Sequence, residues 1–305
     1  MLVKVLGAGA GGGFPQWNCN TRLSRLAWDG DDRVFPRTQS SIAVSADGER
    51  WLIVNASPDI RQQIAATADL QPRRNGPRRN SPIAAIILTG GDVDNIGGLL
   101  SLRERQPLAL YGSARVLAIM EQNRIFDVLA RDAVDRINLA LNETLEVPRT
   151  SGIMVEPFAV PGKVALYLED PAKEGLGTEL GDTIGLKVCT PSSGTLFYIP
   201  GCAEISEDLL ACLEGAKWLL FDGTLFTDSE LVDLGVSDKT GIRMGHVPIT
   251  GPRGSLHAFD GVNIENRAYI HINTTNPILE HGSDAERTVK EAGWEISYDG
   301  MSLSL

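Results

Sequence analysis

The 305-residue chain holds only four histidines, and two of them stand where a metal-dependent site would need them. His271 interrupts the apolar run Ala268–Ile272 and opens the polar stretch Asn273-Thr274-Thr275-Asn276. A polar loop at the end of a buried strand is where sheet proteins carry their chemistry. His246 lies in a turn, between Gly245 and Val247-Pro248. Asp222 ends a second apolar run, Trp218–Phe221, and precedes Gly223-Thr224. A third run, Ile83–Leu88, leads into Thr89-Gly90-Gly91-Asp92-Val93-Asp94-Asn95. Two neutral imidazoles and a carboxylate on one face of a metal can hold iron(II), leaving positions open for oxygen and substrate. His246, His271 and Asp94 can supply that set. Asp92 is a further candidate ligand, and Asp222 a ligand or an acceptor that orients the imidazoles. His257, in a predicted helix, and His281, in a polar loop, read as structural or solvated.

Two other motifs have a plainer reading. Gly7, Gly9 and Gly12 fit Gly-x-Gly-x-x-Gly after an apolar strand, but Phe14-Pro15 follows where a dinucleotide site needs a helix. A tight glycine loop beside another segment is expected instead. Cys19 is a lone thiol, with Thr21 and Ser24 at the positions a Cys-x-Cys-x-x-Cys pattern would fill. A free, partly buried thiol is expected there, because neutral hydroxyls bind zinc far more weakly than thiolates.

These residues must be carried by short strands. Candidates are Leu2–Leu6, Ser41–Val44, Trp51–Asn55, Ile83–Leu88, Ala109–Tyr111, Val155–Ala159, Thr195–Ile199, Trp218–Phe221 and Ala268–Ile272. Helical patterns run over Pro58–Ala66, Ala114–Glu121, Ile205–Leu213 and Asp284–Glu291. Two groups of strands with interspersed helices predict a four-layer αββα sandwich of the α/β class. No linker divides the chain, so residues 1–305 are expected to form one domain. The Arg-rich stretch at residues 70–82 reads as a solvated loop.

A net charge of −11 and a pI near 4.9 argue against a nucleic-acid partner. No stretch approaches the roughly 20 apolar residues of a membrane span, and no signal peptide is evident. The four cysteines form no Cys-x-x-Cys pair, as expected of reduced thiols in a cytoplasmic protein.

Together the motifs resemble the pyrroloquinoline quinone (PQQ) biosynthesis protein B family of the metallo-β-lactamase superfamily. The resemblance spans essentially the whole chain. It rests on Gly11-Gly12-Gly13-Phe14-Pro15-Gln16-Trp17-Asn18-Cys19, Arg37-Thr38-Gln39-Ser40-Ser41, Asn55-Ala56-Ser57-Pro58-Asp59-Ile60-Arg61, Phe221-Asp222-Gly223-Thr224, Met244-Gly245-His246 and Tyr298-Asp299-Gly300-Met301. It implies a metallo-β-lactamase-like fold and iron-dependent hydroxylation of the tyrosine ring of a Glu–Tyr-derived PQQ precursor. An alternative it implies is a non-catalytic carrier of PQQ or its precursor. Other PQQ biosynthesis proteins are implied as partners. Against the superfamily motif His-x-His-x-Asp-His, this chain has Gly90, Asp92, Asp94 and Asn95. Lys163 and Gly201 replace two more ligands, a His and an Asp. The cofactor the resemblance implies is a single iron(II). No structural zinc is expected at Cys19, Thr21 and Ser24. Arg61, Arg103 and Lys163 are the expected cations for the carboxylates of the precursor.

Overall fold

The computed structural model describes residues 1–169 and 178–305. Two sheets of seven strands each pack face to face. The first contains β1 (Leu2–Gly7), β2 (Ser41–Ser45), β3 (Trp51–Val54), β4 (Ile83–Ile87), β5 (Leu108–Gly112) and β6 (Val134–Asn138). The second runs from β7 (Leu145–Glu146) through β8 (Met154–Ala159), β9 (Ile184–Cys189), β10 (Leu196–Ile199), β11 (Ala216–Asp222) and β12 (Ile264–Ile270) to β13 (Glu295–Ile296). The last strand, β14 (Ser302–Ser304), returns to the first sheet beside β1, giving the order β14-β1-β2-β3-β4-β5-β6. In the second sheet the spatial order is the reverse of the chain order, β13 to β7.

The period-two alternation of strand side chains builds the layers. In β3, Leu52 and Val54 join the core between the sheets, while Trp51 and Ile53 face the helices outside. In β11, Leu220 points into that same inner core, and Leu219 and Phe221 face the outer helices. Three apolar clusters result, one between the sheets and one under each helical layer. This is the expected αββα sandwich. Strands β3, β4 and β10 are short and continuously apolar because both faces of each sheet are covered there.

Each sheet changes character halfway across. In the first, β3 through β6 are parallel and the rest antiparallel. In the second, β10 through β13 are parallel. The parallel halves send the carboxyl ends of β4, β10, β11 and β12 toward one rim, and ligands collect at such ends. Register then fixes the neighbours. Ile199 pairs with Phe221, and Asp222 with Ile270, so Gly201, Asp222 and His271 follow on adjacent strands.

Five strands were not anticipated. β6 carries Asp135, Arg136 and Asn138 at a sheet edge, and Gly185 and Lys187 interrupt the apolar run of β9. β7 and β13 have two residues each and β14 has three, too few to show a period. The helix Arg22–Trp28 also escaped the pattern, having no acidic first turn and no capping side chain. Among the described residues, no helix is long and apolar enough to cross a membrane.

Candidate metal centre

Asp222 is fully buried at the end of β11, and its carboxylate accepts four hydrogen bonds. Oδ1 accepts from the Thr224 backbone N at 3.0 Å and from Thr224 Oγ1 at 2.6 Å. Oδ2 accepts from Cys202 N at 2.9 Å and from His246 Nδ1 at 2.7 Å. Thr224 Oγ1 lies 2.8 Å from His271 Nδ1 and 3.1 Å from His246 Nδ1. A hydroxyl has one proton, and here it goes to Asp222. Thr224 therefore accepts from His271 Nδ1–H, while His246 Nδ1–H donates to Asp222. Each imidazole thereby commits Nδ1 to the hub and turns Nε2 away from it.

The two rings stack, with centroids 5.3 Å apart and planes 20° from parallel. Because both turn Nδ1 to the same buried hub, both present Nε2 on the opposite side. There His271 Nε2 lies 3.0 Å from Asp94 Oδ2. Burial alone would raise the Asp94 pKa, but the hydrogen bond and charge of His271 hold it below its ordinary value. Burial likewise opposes the charged form of His271, yet Asp94 pulls its pKa up. A divalent ion between the two atoms would fit, since two ligands about 2.0–2.1 Å from one ion stand roughly 3 Å apart.

Asp222, His246 and His271 also offer ligand atoms within 4.8 Å of one another. The Thr224 hydroxyl already sits among those atoms and bonds to each residue. The chemistry favours Asp222 as the acceptor behind the imidazoles and Asp94 as the carboxylate beside Nε2 of His271. Carboxylate–histidine pairs orient metal-binding imidazoles in this way.

The backbone contributes strain. His271 has φ +59°, in the left-handed region, at a cost of about 1–3 kcal/mol. That conformation turns the chain off β12, and the hydrogen bond from Ile272 N to Ala8 O at 2.9 Å ties it to the glycine loop. At Gly7 an added Cβ would lie 2.2 Å from Gln39 O, so the close approach expected of this loop does require glycine.

A cavity of about 760 Å³ opens over Asp94, His246 and His271. Asp92 lines it, and burial together with the neighbouring Asp94 charge pushes its carboxyl up. Asp92 Oδ1 also accepts from Leu166 N at 2.8 Å, and Tyr167 donates to Gly91 O at 2.8 Å, so the segment Leu166–Leu168 is tied across the rim. Lys163 is the only cation among the described residues lining the cavity, and it lies 3.6 Å from Glu169. The structure does not bring Arg61 and Arg103 there. Both are exposed outside the cavity, and Arg103 caps Leu100 O. Asn95 also lines the cavity, and its Nδ2 fills the space beside Gly90, only 2.7 Å from where a Cβ would stand. At Gly201 an added Cβ would lie 3.6 Å from His246 Cε1, so a carboxylate at that position would have bordered the site.

The N-terminal loop brings Cys19, Thr21 and Ser24 together. Cys19 Sγ lies 3.2 Å from Thr21 Oγ1, and Ser24 bonds Thr274 at 2.9 Å. Burial works against the thiolate, but these hydroxyls lower the Cys19 pKa below its ordinary value. Thr224 is a hub residue that sequence reasoning did not single out. Its signal was the spacing Asp222-Gly223-Thr224, in which a carboxylate bonds the backbone N–H two residues on.

The layers and the rim site define a domain of the beta-lactamase superfamily, and residues 50–272 match the model of that family. Within it, the chain belongs to the coenzyme PQQ synthesis protein B family. It is 52% identical over 305 residues to coenzyme PQQ synthesis protein B of Methylobacterium nodulans, with 100% of both chains covered. The same protein of Xanthomonas oryzae pv. oryzae is 48% identical over 305 residues, again with full coverage. A crystal structure of Zn(2+)-bound PqqB from Methylobacterium extorquens superposes with a TM-score of 0.96 at 50% identity, covering 100% of each chain. A diphosphatase of the PhnP family, at 19% identity and TM-score 0.70, shares the fold. The Zn(2+)-bound relative overturns the expectation of iron(II) without zinc. The physical reason is that zinc has no d-electron geometry preference and accepts imidazole and carboxylate ligands alike, so the loss of other histidines does not select iron.

Proposed function

We propose that the chain serves PQQ synthesis by holding a carboxylate-bearing PQQ precursor against a single zinc ion. Asp94, His246 and His271 would be its ligands, with Asp92 at the margin and Asp222 and Thr224 locking the imidazoles. The observation that carries this reading is the pair of stacked imidazoles whose Nδ1 atoms are both committed to Asp222 and Thr224, beside the Asp94 carboxylate. Such a zinc ion would supply Lewis acidity toward an oxygen of the bound precursor. Lys163 supplies the matching charge for a precursor carboxylate inside the cavity. All four cysteines are free, as the reducing cytoplasm would keep them.

Ring hydroxylation needs an electron-transferring centre, and zinc carries out no redox chemistry. Precursor binding and polarisation is therefore the reading the site supports best. The test is zinc content of the purified protein together with calorimetric binding of a glutamate- and tyrosine-containing peptide. Wild type should hold one more zinc than His271→Ala or Asp94→Ala and bind the peptide only when loaded. Equal zinc in all three proteins would refute the ligand set. Oxygen uptake coupled to the peptide would extend the reading to hydroxylation.

A further inference from the structure

Asn273 lies two residues beyond His271 and lines the same cavity, but its amide is anchored from behind. Asn273 Nδ2 donates to Thr275 Oγ1 at 2.7 Å. Thr275 Oγ1 donates to Glu230 Oε1 at 2.5 Å. Glu230 Oε2 accepts from Phe226 N at 2.7 Å. Thr275 and Glu230 are both buried. Asn273 Oδ1 bonds to nothing among the described residues and is not sealed from solvent, and its residue lines the cavity.

The direction of this relay follows from counting protons. An ionised carboxylate only accepts, so the single Thr275 hydroxyl proton goes to Glu230. The hydroxyl can then only accept from Asn273. Turning the amide over would set Oδ1 against an oxygen with no proton left to give. Nitrogen inward and oxygen outward is thus dictated by chemistry rather than by the assignment of two similar atoms.

We infer that Asn273 is a specificity-determining residue that presents Oδ1 to the cavity as a fixed hydrogen-bond acceptor. The site selects a ligand with an O–H or N–H donor at that point over one with a carbonyl. This rests on the reading of the cavity as a PQQ-precursor site, and it adds the redox form. A quinol or phenol fits, whereas a quinone sets two acceptors face to face.

The relay can be reversed by one substitution. In Glu230→Gln, the Phe226 N–H still requires an acceptor, which fixes the new amide with its oxygen toward Phe226 and its NH2 toward Thr275. That NH2 would then donate to the Thr275 hydroxyl. The hydroxyl proton is released toward Asn273 Oδ1, and the Asn273 NH2 turns to the cavity. Thr275→Val instead removes the relay and leaves the amide free to turn either way.

The experiment compares anaerobic binding of PQQ and of its reduced quinol to the intact zinc-loaded protein by calorimetry. Wild type should bind the quinol about tenfold more tightly, the value of one hydrogen bond gained against one unpaired acceptor. Glu230→Gln should prefer the quinone, and Thr275→Val should show little preference. A wild type that binds both forms alike, or a preference unchanged in both variants, overturns the inference alone. Binding of neither form overturns the precursor reading and the inference with it.

Discussion

Asp222→Asn tests whether the carboxylate at the end of β11 binds the metal or holds the residues that do. The carboxylate accepts from Thr224 N, Thr224 Oγ1, Cys202 N and His246 Nδ1 at 2.6–3.0 Å. An amide keeps one oxygen. Its NH2 must face either the Thr224 pair or the Cys202–His246 pair, and each pair includes a backbone N–H that cannot reverse. One buried N–H is left unpaired at about 1–3 kcal/mol, and charge-assisted bonds are weakened elsewhere, giving a loss of about 3–5 kcal/mol in folding stability. If NH2 faces His246, that ring switches tautomer and its Nε2 becomes protonated, closing a lone pair the metal would use. Zinc affinity should fall about 10- to 100-fold, the range for residues behind a metal ligand. Competition against a chromophoric chelator measures this, with urea unfolding run alongside. Asp94→Asn should lose far more affinity with less effect on stability, because Asp94 is half-buried and bonds mainly to His271. If Asp222→Asn abolishes zinc binding as completely as Asp94→Asn, Asp222 is itself a ligand and the assignment of the hub fails.

Further outcomes follow from single contacts. Gly98→Ala should destabilise the fold by about 3–5 kcal/mol, since its Cβ would meet Ser57 O at 1.9 Å and Ala56 O at 2.8 Å, both backbone atoms; a thermal midpoint within a degree of wild type would contradict this. Burial raises Glu230 from the usual 4.5 to about 6 despite its bonds to Thr275 and Phe226. A group with a raised folded pKa contributes stability that is complete below about pH 4.5 and lost as the pH rises through about 6. The swing is about 2 kcal/mol, and in urea unfolding across that window Glu230→Gln should flatten it. Lys163→Met should weaken binding of a glutamate-containing peptide roughly tenfold with zinc affinity little changed, measured by calorimetry; an unaltered peptide affinity would remove Lys163 from the carboxylate site.

Much of the layer architecture was legible because both sheets are covered on both faces. The strands that read as apolar runs did so for that reason, and Asp284–Glu291 read as a helix because its charged and apolar residues alternate with helical period. The strands that escaped are those whose neighbours, not their own residues, decide their state. β9 tolerates Gly185 because Phe158 of the adjacent strand β8 packs into the space, with ring atoms 2.4 Å from where a Cβ would stand. No periodicity within residues 184–189 encodes that contact.

The site was legible to the extent that its residues stand at strand ends. Asp94, His271 and Asp222 were singled out this way and His246 by its turn, and the structure brings them to one rim. The cations were judged by charge alone, which cannot tell a helix surface from a cavity wall. Arg61 therefore lies outside the cavity, whereas Lys163, read through its place in a motif, lines it. The hub was missed for a deeper reason. Thr224 and Thr275 are ordinary threonines in sequence, and their importance comes from owning one proton each amid several acceptors. That property exists only once β11, β12 and the helix Glu230–Asp233 are folded together. Ligand identity can be read from residue type, but the direction in which each ligand's hydrogen bonds run is a property of the assembled network. It is that direction, set by Asp222 on one side and Glu230 on the other, that decides which atoms face the cavity.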